Sequence, residues 1–245
     1  MEKCDFTPQH ESAGLNSTCG LDTEALLHEI KRYTASVIAS PRGHTTLGES
    51  TKLCDDSDVC LYLTSNHVVG SEEEPGCVQH NEQGSTCRSI VILKRDAENN
   101  LATFVEAPQS PPVPDNQPGL RLQPVLPNLE SNQPVAWAGP DASDTHKFVV
   151  STGLTNPELK VDLVHRLLAL KAGIQIPKNY ACASGISLGG QSGSLVFDKF
   201  GKLHGVLTLG LAAPYSKPFS CWADAVPVNR LLADSFQILH QESQP

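Results

Sequence analysis

The sequence predicts an all-β protein, and three observations lead to that class. Glycine and proline each occur 18 times among the 245 residues, which indicates many turns between short elements. Aromatic residues make up 5% of the chain and charged residues 18%, a composition that favours short strands over a helical bundle. The apolar residues also fall in short alternating runs, the pattern of half-buried strands. A chain of this length buries a core of its own, which excludes a miniprotein held together by disulfides.

The charge balance argues against two classes of partner. Lys and Arg number 18 and Asp and Glu 27, for a formal net charge of −9. Such a chain has no general field that attracts nucleic acid or anionic lipid, so we expect neither nucleic acid nor a membrane as a partner. A phosphate-binding function would need a local exception. No apolar run approaches the roughly 18 residues of a membrane helix, and we expect no cofactor.

Residues 1–34 are predicted to form an arm and a short helix. Residues 1–20 are polar and aperiodic. Asp22 suits a helix N-cap, and the apolar residues after it share one helical face, which predicts a helix over residues 23–32. Met1–His10 has neither the basic nor the apolar segment of a secretory signal. We therefore expect a cytoplasmic protein by default, and an extracellular one if the chain is a trimmed mature form.

Two sets of short strands follow, separated by a proline-rich stretch. In residues 35–106, alternation predicts strands at 35–39, 59–63, 89–94 and 101–105. Residues 107–119 cannot hold a strand ladder, so we interpret them as an extended connector. In residues 120–245 we expect strands at 134–140, 147–152, 195–197 and 203–209, and a final helix over 228–240 with one apolar face. Residues 163–170 fit either a helix or a buried strand.

One loop and one histidine suggest chemistry. In Gly190-Gln191-Ser192-Gly193-Ser194, glycines on both sides of a serine permit a tight turn that aims backbone N–H groups at one point. This is what an oxyanion hole beside an exposed nucleophile requires, although a merely flexible loop has the same composition. His67, at the end of an apolar strand, is suited to take the proton of a hydroxyl nucleophile. A lone histidine in that position is more often structural.

Several segments together resemble the chymotrypsin-fold (trypsin-like) serine peptidases. Thr64-Ser65-Asn66-His67-Val68-Val69 is similar to the histidine corner of that family, most closely in its HtrA/Deg branch. The loop at 190–194 is similar to the family's Gly-Asn-Ser-Gly-Gly, and Ala225-Val226-Pro227-Val228 to the Ala-Ile-Pro-Val before its terminal helix. The matches come in family order from about residue 35 to 240. The resemblance implies two antiparallel six-stranded β-barrels with a short N-terminal helix and a C-terminal helix, and we expect no PDZ domain.

The resemblance also implies roles for individual residues in a serine endopeptidase acting on polypeptides. Ser192 is the nucleophile and His67 the general base, while the N–H groups of Gly190 and Ser192 form the oxyanion hole. The family's orienting aspartate falls on Asn100, which can hold the imidazole ring but cannot stabilise the imidazolium. Three outcomes stay open: a slow enzyme, recruitment of Asp96 or Glu98 by a shifted loop, or an inactive pseudoprotease that binds a peptide or protein partner between the barrels.

The same alignment of motifs yields expectations about activation and specificity. Gln191 stands where chymotrypsin relatives carry an aspartate that pairs with a newly cut N-terminus, so we expect no activation by N-terminal cleavage. Ile186 stands where a trypsin-type pocket carries an aspartate, so the resemblance implies an apolar base of the substrate pocket and a small or aliphatic P1 residue. The residues expected to form the pocket are Ile186, Thr208, Leu209, Gly210 and Ala223. Asp224 is the reservation, because a slip of one residue would bring its charge into the wall.

Eight cysteines remain to be placed. The resemblance implies a disulfide between Cys182 and Cys221, on either side of the predicted pocket. Two further pairs, Cys54 with Cys60 and Cys77 with Cys87, would each close a short loop beside the His67 corner. Cys4 and Cys19 lie in the arm. A zinc site is the weaker alternative, since the chain lacks paired Cys-x-x-Cys knuckles; its ligands would come from Cys54, Cys60, Cys77, His80 and Cys87.

Overall fold

The computed structural model describes residues 23–40, 45–71, 73–80, 86–108, 117–127, 129–141, 144–211 and 218–242. The predicted arm with Cys4 and Cys19, and most of the predicted connector, lie outside the described residues. Three helices are present in the described part of the chain: α1 (Thr23–Tyr33), α2 (Leu163–Lys171) and α3 (Ala225–Glu242). None of the described helices combines the length and the apolar character that crossing a bilayer requires.

The first barrel is built from six antiparallel strands. They are hydrogen-bonded in the order β1-β4-β5-β6-β3-β2, and the pairing of β1 with β2 closes the sheet. A two-residue strand, β7 (Leu120–Arg121), adds to β2 in parallel. The six strands are β1 (Thr34–Ala39), β2 (Thr46–Cys54), β3 (Cys60–Ser65), β4 (Cys77–His80), β5 (Arg88–Asp96) and β6 (Leu101–Glu106).

The second barrel also has six antiparallel strands, in the closed order β10-β13-β12-β11-β8-β9. The prediction of two six-stranded barrels with a helix near each end is therefore confirmed. The strands are β8 (Pro134–Asp141), β9 (Asp144–Thr155), β10 (Tyr180–Ser184), β11 (Leu195–Asp198), β12 (Leu203–Leu211) and β13 (Phe219–Ala223).

An apolar cluster joins the two barrels through the C-terminal helix. The face of α3 that the sequence predicts to be apolar is the face that packs inward, and it lies on both barrels. Thr103 of β6 and Ser235 of α3 add a buried hydroxyl contact of 2.6 Å. The cluster holds Leu53, Leu61, Leu63 and Leu101 from the first barrel, Leu195, Phe197, Leu203 and Val206 from the second, and Val228, Leu231, Leu232 and Phe236 from α3.

Three disulfides connect the cysteines in the described part of the chain. Cys54 pairs with Cys60, Cys77 with Cys87, and Cys182 with Cys221. All three pairings expected from the sequence are confirmed. Cys54 lies opposite Cys60 in the β2–β3 ladder and Cys182 opposite Cys221 in the β10–β13 ladder, so the strands themselves bring the sulfurs together. The zinc alternative fails, because these cysteines have no thiolate to offer a metal.

A buried polar cluster supports the wall of the first barrel. His80 Nε2 lies 2.7 Å from Glu106 Oε1, and Arg88 Nη1 lies 2.8 Å from Glu106 Oε2. Burial opposes the ionisation of Glu106, but hydrogen bonds from His80, Arg88 and Tyr62 outweigh it and lower the pKa of Glu106 to about 2. The hydrogen bond to Glu106 raises the pKa of His80 against the effect of burial. Burial alone would disfavour the charged form of both groups. The hydrogen bonds of the cluster instead favour charged Glu106 and charged His80.

This cluster predicts a pH window for stability. The Glu106 contribution is present above the ordinary pKa of 4.5 and is lost as pH falls towards about 2. The His80 contribution is present below the ordinary pKa of 6.5 and is lost as pH rises through its raised value. We therefore expect the difference in free energy of unfolding between the protein and Glu106→Gln to be largest between these two values. Urea titrations from pH 3 to about pH 9 measure it, and a difference independent of pH would contradict the assignment.

Candidate active site

His67 lies at the rim of the first barrel, where strand β3 ends. The chain turns there through a short 3₁₀ helix, Asn66–Val68. Val68 is buried in the core of the first barrel, and the N–H of Asn66 donates to the carbonyl oxygen of Asn100 at 2.9 Å. These two anchors fix the backbone on either side of His67, whose own side chain is half-buried.

Asn100 is the direct partner of the His67 ring. It follows a second 3₁₀ helix, Ala97–Asn99, and has a left-handed backbone with φ 55° and ψ 43°, a conformation that asparagine tolerates better than most residues. The Asn100 side chain is fully buried. Its Oδ1 accepts the backbone N–H of His67 at 3.1 Å. Its Oδ1 and Nδ2 lie 3.2 Å and 3.0 Å from His67 Nδ1.

The contact between Asn100 and His67 admits two proton arrangements. In one, His67 Nδ1–H donates to Oδ1, and Nε2 is left free to accept a proton. In the other, Nδ2–H donates to Nδ1, and Nε2 keeps its hydrogen. A carboxylate would allow the first arrangement alone. Burial lowers the pKa of His67, and the hydrogen bond with Asn100 offsets part of that effect, so the imidazole is neutral at pH 7.

The two carboxylates nearest to Asn100 in the sequence, Asp96 and Glu98, have other partners. Asp96 accepts hydrogen bonds from the backbone and side chain of Asn99 and pairs with Arg230 at 3.1 Å. The exposed Glu98 pairs with Lys178 at 3.6 Å. Neither carboxylate contacts His67 in the structure. Recruitment of Asp96 or Glu98 as an orienting acid therefore has no support here.

The serine-bearing loop between β10 and β11 depends on two glycines with positive φ. Gly190 has φ 93° and Gly193 φ 98°, values that favour glycine. A Cβ atom on Gly193 would lie 1.9 Å from the carbonyl oxygen of Glu49 and 2.3 Å from Thr64 Oγ1. The N–H of Gly193 donates to the carbonyl oxygen of Leu207 at 2.7 Å. The loop therefore packs directly against the first barrel while remaining tied to the second.

Gln191 fixes the loop from beneath without any charge. Its side chain is fully buried. Its Oε1 accepts from Trp137 Nε1 at 3.2 Å, from Ser151 Oγ at 3.0 Å and from the N–H of Leu188 at 2.8 Å. Its Nε2 donates to the carbonyl oxygen of Val149 at 3.2 Å. A neutral amide offers both an acceptor and a donor, which a carboxylate cannot do at neutral pH.

Two backbone N–H groups of this loop take no part in the hydrogen bonds made by the described residues. The N–H groups of Gln191, Gly193 and Ser194 all donate to backbone carbonyls. Within the described ranges, the N–H groups of Gly190 and Ser192 donate to no protein acceptor. Donors without an internal partner are what an oxyanion site requires.

Ser192 and the His67 corner meet across Gly48 of β2. The carbonyl oxygen of Ser192 accepts the N–H of Glu49 at 2.7 Å. A Cβ atom on Gly48 would lie 2.5 Å from Val68 Cγ1 and 2.8 Å from the carbonyl oxygen of Ser192. The residue after His67 and the backbone of Ser192 are thus separated by a glycine without a side chain. Gly48 and Glu49 were not predicted from the sequence, because no motif marks them and the polar strand around them lacks alternation.

The residues expected in the pocket wall divide into an outer and an inner set. Ile186, with 44% of its surface exposed, and Gly210 reach solvent, and a Cβ on Gly210 would clash with Ser187 Oγ. Thr208, Leu209 and Ala223 are fully buried beneath them. Leu209 lies in one apolar cluster with the Cys182–Cys221 disulfide, and Thr208 Oγ1 donates to the carbonyl oxygen of Cys221 at 3.3 Å.

Asp224, the one charge that the sequence places near the pocket wall, lies at the start of α3. Its carboxylate accepts the N–H of Ala225 at 2.7 Å, and its own N–H donates to the carbonyl oxygen of Asn179 at 3.2 Å. A negative charge at a helix N-terminus is favourable. The Asp224 carboxylate is therefore engaged at the N-terminus of α3.

Comparison with known proteins identifies the fold. No protein-family model matches this sequence, and no curated protein does. The Rv3671c protease from M. tuberculosis in its active form superposes with a TM-score of 0.62 at 13% identity, over 95% of this chain and 92% of that one. The HtrA-type protease AlgW with a tripeptide gives 0.60 at 13% identity, over 86% of this chain and 62% of AlgW. At such identities the likeness establishes the chymotrypsin-like two-barrel fold.

Proposed function

We propose that this chain is a serine endopeptidase whose nucleophile is Ser192 and whose general base is His67. The observation that carries the proposal is the junction at Gly48, where the backbone of Ser192 lies against the residue that follows His67. The N–H groups of Gly190 and Ser192, which donate to no acceptor in the described part of the chain, supply a second element of the same chemistry. Asn100 is proposed as the positioning residue for the imidazole.

The proposed reaction proceeds in two stages. Ser192 Oγ attacks the carbonyl carbon of the scissile bond while His67 Nε2 takes the hydroxyl proton. The N–H groups of Gly190 and Ser192 stabilise the oxyanion that forms. His67 then gives its proton to the leaving amine, which breaks the C–N bond and leaves an acyl group on Ser192. Water, deprotonated by His67, hydrolyses the ester and restores the hydroxyl.

Asn100 makes this peptidase slow. In a Ser-His-Asp triad, replacement of the Asp by Asn lowers kcat about 10⁴-fold, because the amide permits the wrong imidazole tautomer and does not stabilise the imidazolium. Here the distances from His67 Nδ1 to Oδ1 and Nδ2 differ by little. The contact is therefore compatible with both tautomers, and the site works in the molecules whose Nε2 is unprotonated.

The hydrogen bonds of Gln191 support a serine loop that needs no newly cut N-terminal ammonium to form.

Labelling with a fluorophosphonate probe tests the nucleophile. We expect stoichiometric labelling of the protein at Ser192, because an activated serine hydroxyl attacks phosphorus as it attacks a carbonyl. Ser192→Ala should remain unlabelled, and Ser194→Ala, on the other side of Gly193, is the matched control that should keep its label. Mass spectrometry of the labelled peptide identifies the site. Folded protein that takes up no label would contradict the proposal.

The pocket residues predict the preference for P1. Ile186 and its neighbours present apolar surface, and the carboxylate of Asp224 is engaged at the N-terminus of α3. We therefore expect kcat/KM for peptides with Val or Leu at P1 to exceed that for Arg by at least about tenfold, since an unpaired cation in an apolar pocket is costly. Peptides that differ at P1 alone measure this ratio. A preference for Arg would contradict this prediction, because it would require an acidic group in the pocket.

A second function is favoured by the 3.0 Å contact between Asn100 Nδ2 and His67 Nδ1. If the amide donates to Nδ1 in nearly all molecules, the imidazole cannot accept a proton from Ser192, and the cleft between the barrels binds a peptide without cutting it. This alternative predicts that labelling is absent while peptides with an aliphatic P1 residue still bind. Fluorescence anisotropy with the Ser192→Ala protein measures such binding.

A further inference from the structure

Helix α2 carries an apolar surface that no other part of the described chain covers. Five of its nine side chains are large, apolar and between 44% and 74% exposed. Scattered single apolar residues are normal on a protein surface, but a contiguous group marks a contact site. These five residues, which we call the α2 apolar face, are Leu163, Val164, Leu167, Leu168 and Leu170.

The orientation of α2 is fixed by its narrow inner side. The Asp162 carboxylate caps the helix by accepting the N–H of His165 at 2.9 Å. His165 and Ala169 are the buried residues of the helix, and the His165 ring packs edge-on against Phe219 with centroids 5.0 Å apart. At 100° per residue, the α2 apolar face then covers an outward arc of about 160°. The contacts of His165 and Ala169 on the inner side therefore hold the α2 apolar face outward.

The charges around α2 differ from those of the rest of the chain. Arg166 and Lys171 lie on the helix and are exposed, and the helix carries no carboxylate. The exposed Lys160 lies just before the helix, whereas Lys178 after it pairs with Glu98, and the Asp162 carboxylate caps the helix. In a chain with a net charge of −9, the helix itself is a local exception, because it carries two cations and no carboxylate.

We propose that α2 docks the protein on an anionic phospholipid surface. The α2 apolar face would enter the boundary between head groups and acyl chains, as interfacial amphipathic helices do. Arg166 and Lys171 have long apolar stems that let their charges reach the lipid phosphates. Because lipids are fluid, they can surround the convex α2 apolar face, whereas a protein partner would need a groove of matching shape.

A second copy of the chain fits the same face poorly. Two α2 helices packed face to face would bring Arg166 and Lys171 of one copy near the same cations of the other. The helix has no carboxylate of its own, and the nearest one, that of Asp162, is held at the helix N-terminus by the N–H of His165. Like charges at a packed interface are unfavourable, whereas an anionic lipid surface neutralises all of them.

Vesicle sedimentation tests the proposal with the full chain. We expect the protein to bind vesicles of phosphatidylcholine with about 30% phosphatidylserine, and to bind phosphatidylcholine alone more weakly. Leu167→Gln with Leu170→Gln should lower the partition coefficient at least about tenfold. Arg166→Gln with Lys171→Gln should lower it about tenfold on the phosphatidylserine vesicles alone. Leu167→Trp should show a blue-shifted emission on binding.

The matched control removes exposed apolar side chains elsewhere. Phe200, in the turn after β11, and Val226, on α3, are 73% and 66% exposed, and Phe200→Gln with Val226→Gln should leave binding unchanged. All these positions are exposed, so the fold is retained, as circular dichroism checks. The proposal is overturned if the vesicles take up no protein or if the α2 leucine variant binds as well as the control. It is equally overturned if ultracentrifugation shows that the protein is a dimer and that the α2 leucine variant is a monomer.

Discussion

Replacement of Asn100 by Asp is expected to raise kcat about 10³- to 10⁴-fold. The change is the reverse of the Asp-to-Asn replacement that lowers kcat about 10⁴-fold in a Ser-His-Asp triad. Oδ1 of Asn100 already accepts the backbone N–H of His67 and lies 3.2 Å from Nδ1, so a carboxylate enters in the correct place. It would accept Nδ1–H and leave Nε2 unprotonated in every molecule. Steady-state rates on a peptide with an aliphatic P1 residue measure the gain.

The pH profile separates this effect from a general improvement of folding. A carboxylate beside the ring raises the pKa of His67, whereas in the present site burial lowers it. The acid limb of kcat/KM should therefore move to higher pH in Asn100→Asp. Asn132→Asp is the matched control, because Asn132 also has a left-handed backbone, with φ 62°, but is exposed and remote from His67. If Asn100→Asp folds and takes the fluorophosphonate label without a gain in rate, Asn100 is not the orienting residue.

The second large effect is expected from Gly193→Ala. Its Cβ would lie 1.9 Å from the carbonyl oxygen of Glu49, a backbone atom of β2, and the residue has φ 98°. An unfavourable φ costs about 1–3 kcal/mol, and overpacking against a fixed backbone adds about 1–3 kcal/mol. We expect a loss of about 2–6 kcal/mol in the free energy of unfolding. Activity and labelling should fall at least about a hundredfold, since a displacement of 1 Å in a reacting group is enough to do so.

Gly201→Ala is the control for the backbone conformation alone. Gly201 has φ 74°, but nothing lies within 4 Å of a Cβ placed there. Its substitution should therefore cost the strain of the positive φ, about 1–3 kcal/mol, and leave labelling of Ser192 unchanged. Urea titration and labelling rates of the two variants together give the answer. Equal stabilities and equal labelling rates would mean that the serine loop does not pack against β2 as described.

Strands with one buried face were predictable from their alternation. The expected strand at 35–39 is β1, Thr34–Ala39, and that at 101–105 is β6, Leu101–Glu106. The helix expected over 228–240 begins three residues earlier, at Ala225, and ends at Glu242. β1 and α3 each have one side toward the core and the other partly exposed, so the pattern of their apolar residues has the period of the element. β6 is buried on both faces, with Phe104 in the core of the first barrel and Leu101 in the cluster that includes α3, and it was predicted because most of its residues are apolar.

Strand β2 shows where this reasoning fails. Its central residues, Glu49, Ser50, Thr51 and Lys52, are polar and yet buried, because the strand is covered on both faces, by its own barrel and by the serine loop of the other. Ser50 Oγ donates to the carbonyl oxygen of Ala35 at 2.8 Å, and Lys52 Nζ to that of Gln117 at 2.7 Å. Partners so far away in sequence make the burial of Ser50 and Lys52 acceptable. A strand of this kind has no apolar period, and it was not predicted from the sequence.

The sequence by itself determined the all-β class and marked the two segments that carry His67 and Ser192, because these features depend on residues close together in the chain. The resemblance of its motifs to a known family implied the two barrels and the disulfide between Cys182 and Cys221, which are 39 residues apart. The tertiary structure decided what lies between the His67 and Ser192 segments. It places Asn100 against the His67 ring, joins Ser192 to β2 across Gly48, satisfies Gln191 with partners on β8, β9 and its own loop, and turns the leucines of α2 outward. These are contacts between distant segments, and they depend on how closed barrels pack, which no local pattern specifies.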